Sequence, residues 1–446
     1  MSSDDVAAAV SALPDKSSAL DLLAVPVLKS VADLLIPFLT YLFNLSLTTG
    51  HVPAGFKNSF ITPVIKKPGL GEGSPSSYWP ISNLSVISKL LQRLVARQLS
   101  TYLDTHRLLP ATQFGFRRGH STETATIRIL SDLLDSVDRG DTAVLVLLDL
   151  TAAFDTVDHE ILLKRLQVTF GVDDVALTRF SSYLAGRKQH VRCGGSYSRI
   201  TDVICGVPQG SVLGPILFII YTADLAWIVA DHGLSLHLYA DDSQIYGACP
   251  PTATCSLSVG ISLAIDDIST WMRCNRPAPS PDAEKTEVMR WCASAHRQSQ
   301  LPRCSITVAG ASVKPISTVR DLGVDIDIDL GAATHVRRTV SRCFAALRQL
   351  RLLGRYVTND CFHSLVVSLV HSRLDYGNFV YVGLPVYLQR RLQAVLNAAA
   401  RLVFRLCRYD HVTDALAVLH WLRLPERVNF KLALMAYRVL NGMTPS

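Results

Sequence analysis

Asp241 and Asp242 stand side by side in LYADDSQIY (238–246), among Leu236, Leu238 and Ile245. Adjacent carboxylates repel each other and resist burial, so the pair asks for positive charge. A third acid, Asp149, closes the apolar run TAVLVLLDL (142–150). Such a short continuous run reads as a strand buried on both faces. Residues 234–248 read as strand, tight turn, strand, with the acid pair at the tip. If the two strands are neighbours in one sheet, the three carboxylates converge and can hold two divalent cations about 3.5–4 Å apart. Oxygen ligands favour Mg²⁺. Two such ions suit in-line phosphoryl transfer, one activating a hydroxyl and the other stabilising the leaving oxygen. The plainer alternative makes the pair a turn and Asp149 a helix cap.

The surrounding elements must position these acids. Residues 1–50 have helical spacing, and 50–85, rich in Gly, Pro and Ser, read as loops and short strands. Residues 86–106 form an amphipathic helix with a basic face. Ser121 is placed to cap a helix running to about 140, and HEILLKRLQVTF (159–170) is a helix after the first strand. A Gly/Pro loop at 205–214 feeds an apolar helix. Residues 257–274 are helical, 317–330 alternate as a strand or hairpin, and the chain from 334 is helical and rich in arginine. DIDIDLGAATHV (325–336) is no calcium loop, because Leu330 and Val336 occupy the positions that need Gly and Glu.

An apolar fraction of 49% with 18% charged residues excludes a disordered chain. The net charge of +7 favours a polyanionic partner. None of the ten cysteines forms a C-x-x-C pair, which argues against zinc and for reduced thiols in an intracellular protein. Residues 27–47 and 214–233 have the length of a membrane span but carry Lys29, Asp33 and Pro37, and Asp224. They are expected to be buried helices, and no membrane partner is expected.

VLLDLTAAFDTVDH (146–159), GVPQGSVLGPILF (206–218) and LYADDSQIY resemble motifs A, B and C of a reverse transcriptase, in order and spacing. ITPVIKKPG (61–69), YWPISNLSVISKLLQRLVARQL (78–99) and QFGFRRGHSTETA (113–125) resemble the fingers of non-LTR, LINE-like retrotransposon polymerases. EKTEV (284–288) resembles motif D and VRDLGV (319–324) the primer grip. SRLDYGNFVYVGLP (372–385) and RLQAVLNAAARLVFR (391–405) resemble the region after the palm in jockey-type elements. The resemblance covers nearly the whole chain.

It implies an α+β, right-hand polymerase: a helical extension at 1–50, fingers at 51–140, a palm with an antiparallel sheet backed by helices at 141–330, and a basic helical thumb and truncated C-terminal region at 331–446. Residues 160–200 are assignable to palm or fingers. It implies RNA-directed DNA synthesis, in which a primer 3′-OH attacks a deoxynucleoside triphosphate, with two Mg²⁺ ions (Mn²⁺ substituting) on Asp149, Asp241 and Asp242. Lys285 would be the motif D lysine near the leaving pyrophosphate. Leu150, Phe154, Gln209, Gly210, Lys66, Lys67 and Arg117 would meet the nucleotide, with Phe154 excluding a ribose 2′-OH. Tyr239, Ala240, Leu322, Gly323, Arg118, Arg337 and Arg338 would meet primer and template. RNA template, DNA primer or target and dNTPs are the implied partners, with an endonuclease from another chain or a missing N-terminal domain, in nucleus and cytoplasm.

Two departures matter. Trp79 stands where relatives usually carry arginine, and an indole cannot pair with phosphate as a guanidinium does. NRPAPSPDAEKTE (275–287) is longer and richer in proline than the usual approach to motif D. They support the alternative of a catalytically impaired nucleic-acid-binding remnant. A nuclease using the same acids would leave motif B and Phe154 without purpose.

Overall fold

The computed structural model describes residues 1–16, 21, 23–67, 69, 71, 73–149, 153–275, 282–292 and 304–444. Helices α1 (Ser3–Ser11), α2 (Val25–Ser30) and α3 (Ala32–Thr49) precede strands β1 (Asn58–Ile65) and β2 (Tyr78–Asn83). Helices α4 (Val86–Thr105) and α5 (Thr122–Asp138) lead to β3 (Thr142–Asp149). A 3₁₀ turn at Ala153–Thr156 is followed by α6 (His159–Val168), α7 (Asp174–Leu184), β4 (Lys188–Cys193), β5 (Ser196–Tyr197) and β6 (Thr201–Asp202). Next come α8 (Leu213–Tyr221), α9 (Leu225–Ala230), β7 (Ser235–Tyr239), β8 (Asp242–Cys249) and α10 (Thr254–Cys274). Strands β9 (Glu287–Trp291), β10 (Ile306–Val308), β11 (Ala311–Val313), β12 (Thr318–Asp321) and β13 (Val324–Asp327) follow. The chain closes with α11 (Ala333–Leu353), α12 (Asn359–Val366), a π-helical turn at Val367–His371, α13 (Ser372–Asp375), α14 (Val386–Phe404), α15 (Thr413–Val418) and α16 (Leu424–Leu440).

These elements form two units, Met1–Arg117 with Asp149–Ser243 and Leu263–Glu284, and Arg118–Leu148 with Gln244–Ser262 and Lys285–Ser446. The first holds a mixed sheet in which β2 pairs antiparallel with β1, from Phe60↔Asn83 to Ile65↔Tyr78. Strand β4 lies parallel to β1, from Asn58↔Lys188 to Ile61↔Val191, and carries β5 and β6. Helix α4 forms as its pattern predicts. Ser85 Oγ accepts from Ser88 N at its start, and Leu90, Leu91, Leu94, Val95, Leu99 and Leu103 are buried.

The two long apolar stretches behave differently. Residues 214–233 are two helices, mostly buried, with every residue of Leu213–Tyr221 except Pro215 buried. Helix α3 contradicts the buried-helix expectation: Leu34, Phe38 and Tyr41 are each more than 70% exposed. Its apolar residues go all the way round, and only the side bearing Leu39 and Phe43 finds partners. By length and hydropathy alone, both stretches also pass as membrane spans.

In the second unit β8, β3 and β9 lie side by side in that order, with β9 antiparallel to β3 from Ala143↔Trp291 to Leu147↔Glu287. Ile129, Leu133 and Val137 of α5 pack on one face of this sheet with Leu145, Met289, Trp291, Val319, Val324 and Ile326. Ser121 caps α5 by accepting from Thr124 N at 3.1 Å. The C-terminal helices enclose a core of their own around Val336, Val366, Leu392, Val395 and Leu396. Cys255 and Cys304 are joined in a disulfide with Cα atoms 5.6 Å apart, so the reduced-thiol expectation fails at this pair.

Candidate active site

The acids sit where the change of period placed them, and all three belong to the first unit. Asp149 is the last residue of β3, Asp241 lies in the turn after β7, and Asp242 opens β8. Their carboxyls feel one another. Loss of hydration, with the Asp149 charge added, raises the Asp241 carboxyl above its ordinary value. Asp242 is pushed up to about 6 by loss of hydration first, then by the charges of Asp241 and Asp149. Both residues are exposed, so the carboxylates are open to a ligand from solvent. Among the described residues no group of three or more His, Cys, Asp or Glu is already gathered to hold a metal ion. The donor set fits a hard divalent cation in chemistry: three carboxylates, all oxygen donors, whose mutual repulsion a cation would relieve.

The turn before Asp241 is strained on its own. Ala240 has φ +60, a left-handed conformation that costs a non-glycine residue about 1–2 kcal/mol. A neighbouring loop holds it. Leu238 N donates to Thr112 O at 3.0 Å and Phe114 N to Leu238 O at 2.8 Å. The Phe114 ring meets His237 edge-on at 4.4 Å. Gly115 then passes so close to Ala240 that a Cβ there would stand 2.3 Å from its amide nitrogen.

Motif A and motif B residues are zipped together. Val207 N donates to Phe154 O at 2.8 Å, and Gly206 N to Val157 O at 2.7 Å. His159 Nε2 lies 2.8 Å from Gly206 O. Gly206, at φ +81, must lack a side chain because a Cβ would stand 2.8 Å from Asp155 O. Gln209 is fixed at both ends: its carbonyl accepts from Ser82 N of β2 at 2.7 Å, and its Nε2 donates to Asp155 Oδ2 at 3.0 Å. Burial raises the Asp155 carboxyl, and the Gln209 bond partly offsets this. Gly210, at φ +102, passes 2.8 Å from Ser82 O when a Cβ is added. The half-buried Phe154 ring stacks on Phe218 with centroids 4.5 Å apart.

Gln92 of α4, 3% exposed, supports the platform from below. Its Oε1 accepts from Val212 N (3.0 Å) and Leu213 N (3.4 Å), capping α8, and from Tyr183 OH (3.3 Å). A buried glutamine on the apolar face of α4 is the sequence signal that could have found it. Asp155 and Gly115 carried no comparable signal, since each matters through a partner distant in sequence.

Other expected site residues are placed as follows. Lys66 and Lys67 are exposed beyond β1, and Trp79, 52% exposed, pairs with Val64 across β1 and β2. Arg117 turns into its own loop, donating from Nη1 to Pro110 O (3.1 Å) and Gln113 O (3.2 Å) and lying 3.5 Å from Asp104. Tyr239 ends β7 beside Ala240. Leu150 lies outside the described residues. In the second unit, Arg118 is exposed and Lys285 is exposed in the turn before β9. Leu322 (φ +43) and Gly323 (φ +88) form the tip between β12 and β13, where Tyr376 OH donates to Leu322 O. Arg337 is exposed, but Arg338 pairs with the buried Asp325, which also donates from its backbone N to His335 Nδ1 at 3.2 Å.

Residues 65–294, more than half the chain, match the family described as Reverse transcriptase (RNA-dependent DNA polymerase). The chain is 33% identical to the probable RNA-directed DNA polymerase from transposon BS of Drosophila melanogaster, over 90% of this chain and 44% of that protein. It is 35% identical to the probable RNA-directed DNA polymerase from transposon X-element of the same species, over 51% of this chain and 25% of that protein. It is 28% identical to the RNA-directed DNA polymerase from mobile element jockey of D. melanogaster, over 81% and 39%. A solved apo telomerase from Candida tropicalis aligns with TM-score 0.41 and 15% identity, over 65% of this chain and 59% of that one. The chain thus spans less than half the length of the curated relatives it matches. With motifs A, B and C in order and their residues assembled as described, the chain belongs to the reverse transcriptase (RNA-dependent DNA polymerase) family, and it is similar to the polymerases of transposon BS, transposon X-element and mobile element jockey.

Proposed function

We propose that this chain is the polymerase portion of a non-LTR retrotransposon protein and synthesises DNA on an RNA template. The observation that carries this reading is the placement of Asp149 at the end of β3, beside β8, which Asp242 opens, with Asp241 in the turn before it; loss of hydration first, and then the charges of Asp241 and Asp149, push Asp242 up to about 6. Asp149, Asp241 and Asp242 would hold two divalent ions, Mg²⁺ with Mn²⁺ as substitute. When bound, these supply charge neutralisation at the phosphate and activation of the primer hydroxyl.

The chain's own residues do the rest. The Ala240 turn, braced by Gly115, fixes where the acids point. Gln209, locked between Ser82 and Asp155, offers a rigid edge beside the incoming nucleotide, and Phe154, backed by Phe218, limits what fits at the sugar. Lys66 and Lys67 offer charge to the triphosphate. Lys285 serves as the proton donor to pyrophosphate, and Leu322 and Gly323 grip the primer. We assign the fingers to 51–140, the palm to 141–330 and the thumb to 331–446, with RNA template, DNA primer and dNTPs as partners. Target nicking belongs to an endonuclease outside these residues, with action in nucleus and cytoplasm.

A second reading, a binding remnant without turnover, is favoured by Trp79, whose exposed indole stands on β2 at a position where the family resemblance leads one to expect arginine. Nucleotide incorporation separates the two: purified chain, RNA template, annealed DNA primer, four dNTPs and Mg²⁺. Template-directed extension supports the polymerase. Binding of primer–template without extension in Mg²⁺ or Mn²⁺ overturns it in favour of the remnant.

A further inference from the structure

Within the second unit, α14 and the segments 409–413 and 423–425 enclose an open cavity of about 510 Å³. That volume is in the range of ligand sites, and the wall mixes apolar side chains (Val386, Val412, Leu416 and Pro425) with amides and three arginines. Arg390, Arg401 and Arg423 line it, and none is in an ion pair among the described residues. Asp410, also in the wall, accepts from Cys407 N at 2.6 Å and so closes its own turn. Arg401 holds the loop by donating from Nη2 to Asp410 O at 3.3 Å, and its Nε is closed to solvent without a partner.

Amides and an aromatic ring complete the wall. Gln389 donates from Nε2 to Leu384 O (2.8 Å), which leaves Oε1 to accept. Asn397 Oδ1 accepts from Gln393 Nε2 (2.9 Å), which leaves Nδ2 to donate. Tyr409 is 88% exposed, with the Arg408 guanidinium 5.9 Å from its ring centre. Arg390 and Arg401 are eleven residues apart on one helix, about 16 Å at 1.5 Å per residue. That is too long for a single phosphate and suits a short run of nucleotides.

We propose that this groove is a binding site for a single-stranded polynucleotide, with phosphates on Arg390, Arg401 and Arg423 and a base stacked on Tyr409. Unlike a uniform basic surface, it pairs cations with free amide edges and an open aromatic face, the combination that single strands require. The proposal rests on the reading that the chain handles nucleic acid, but not on its turning over nucleotides.

The test is photo-crosslinking of full-length chain to 4-thiouridine- or 4-thiothymidine-containing octamers, RNA and DNA in separate arms, with peptide mapping. Crosslinks within residues 386–425 are expected, falling about tenfold in Tyr409→Ala and in Arg390→Ala/Arg423→Ala, as loss of a stacked base or phosphate contacts predicts. Arg423 caps α16, its backbone N donating to Glu426 Oε2 at 2.9 Å, a bond that Arg423→Ala keeps, and unchanged melting would confirm the fold. Preference for the RNA or DNA arm identifies the strand. No crosslink in 386–425, crosslinks insensitive to both variants, or equal displacement by inorganic polyphosphate with no effect of Tyr409→Ala would overturn the site. Asp241→Ala should leave the crosslink intact, and failure of primer extension by the wild-type chain with crosslinking retained would sink the polymerase reading and not this one.

Discussion

Gly115 and Ala240 are in backbone contact: a methyl group on Gly115 would stand 2.3 Å from the Ala240 amide nitrogen and 3.1 Å from its Cα. No side chain lies between them to move aside. The loop carrying Gly115 is therefore the mould against which the left-handed turn before Asp241 is formed.

Gly115→Ala should displace that turn. A misplacement of about 1 Å at reacting groups costs on the order of a hundredfold in rate, and forced overpacking about 1–3 kcal/mol in stability. Primer extension by Gly115→Ala should fall about a hundredfold while the protein still melts cooperatively. Wild-type extension by a folded variant would show that the contact does not matter.

The Gln209–Asp155 bond predicts coupling. Asp155→Ala and Gln209→Ala should each raise KM for dNTP about tenfold, as loss of a hydrogen bond to a charged group implies. The double variant should be little worse than either single one, because both remove the same interaction. Additive effects in steady-state incorporation would mean that the two residues act separately.

Phe154, stacked on Phe218, predicts sugar selectivity. Phe154→Val should lower discrimination against ribonucleotides by about tenfold or more, the scale of steric selection in a packed pocket. Competing incorporation of dNTP and rNTP measures it. Unchanged discrimination would return Phe154 to ordinary packing.

Much of this arrangement is written in local pattern. The shift from helical spacing to a continuous apolar run located β3 and put Asp149 at its end, and the strand–turn–strand reading of 234–248 put the acid pair at a turn. Ser121 was legible as a cap because capping is a local property. What was not legible depends on distant partners. Strand β4 was unanticipated because its parallel neighbour, β1, lies more than a hundred residues earlier. Arg117 and Arg338 look like free cations in sequence, yet one binds its own loop and the other a buried Asp325. Spacing alone also could not pair Cys255 with Cys304, or show that one side of the apolar α3 stays uncovered.

Acid sensitivity should come partly from His371. Its ring, 5% exposed, packs 3.9 Å from the Trp421 ring centre. Burial, helped by Arg427 and His363 and opposed by Asp375, lowers its pKa from 6.5 to about 4. Between those values the unfolded chain binds more protons, so stability rises with pH and is lost on acidification. The loss amounts to about 3 kcal/mol by pH 4. His371→Gln should flatten the dependence of melting temperature on pH between about 4 and 6.5. The same slope in the variant would assign it to other groups.

The central claim is that Asp149, Asp241 and Asp242 carry metal-dependent nucleotidyl transfer. The most direct measurement is single-nucleotide incorporation by wild type, Asp241→Asn and Asp241→Ala on one RNA template and DNA primer, with Mg²⁺ and with chelator. Wild type should extend only with the divalent ion. Both variants should lose at least about a thousandfold in rate, the scale of a lost group that stabilises charge in the transition state, while still binding primer–template. Extension by Asp241→Asn near the wild-type rate, or by wild type in chelator, would contradict the account.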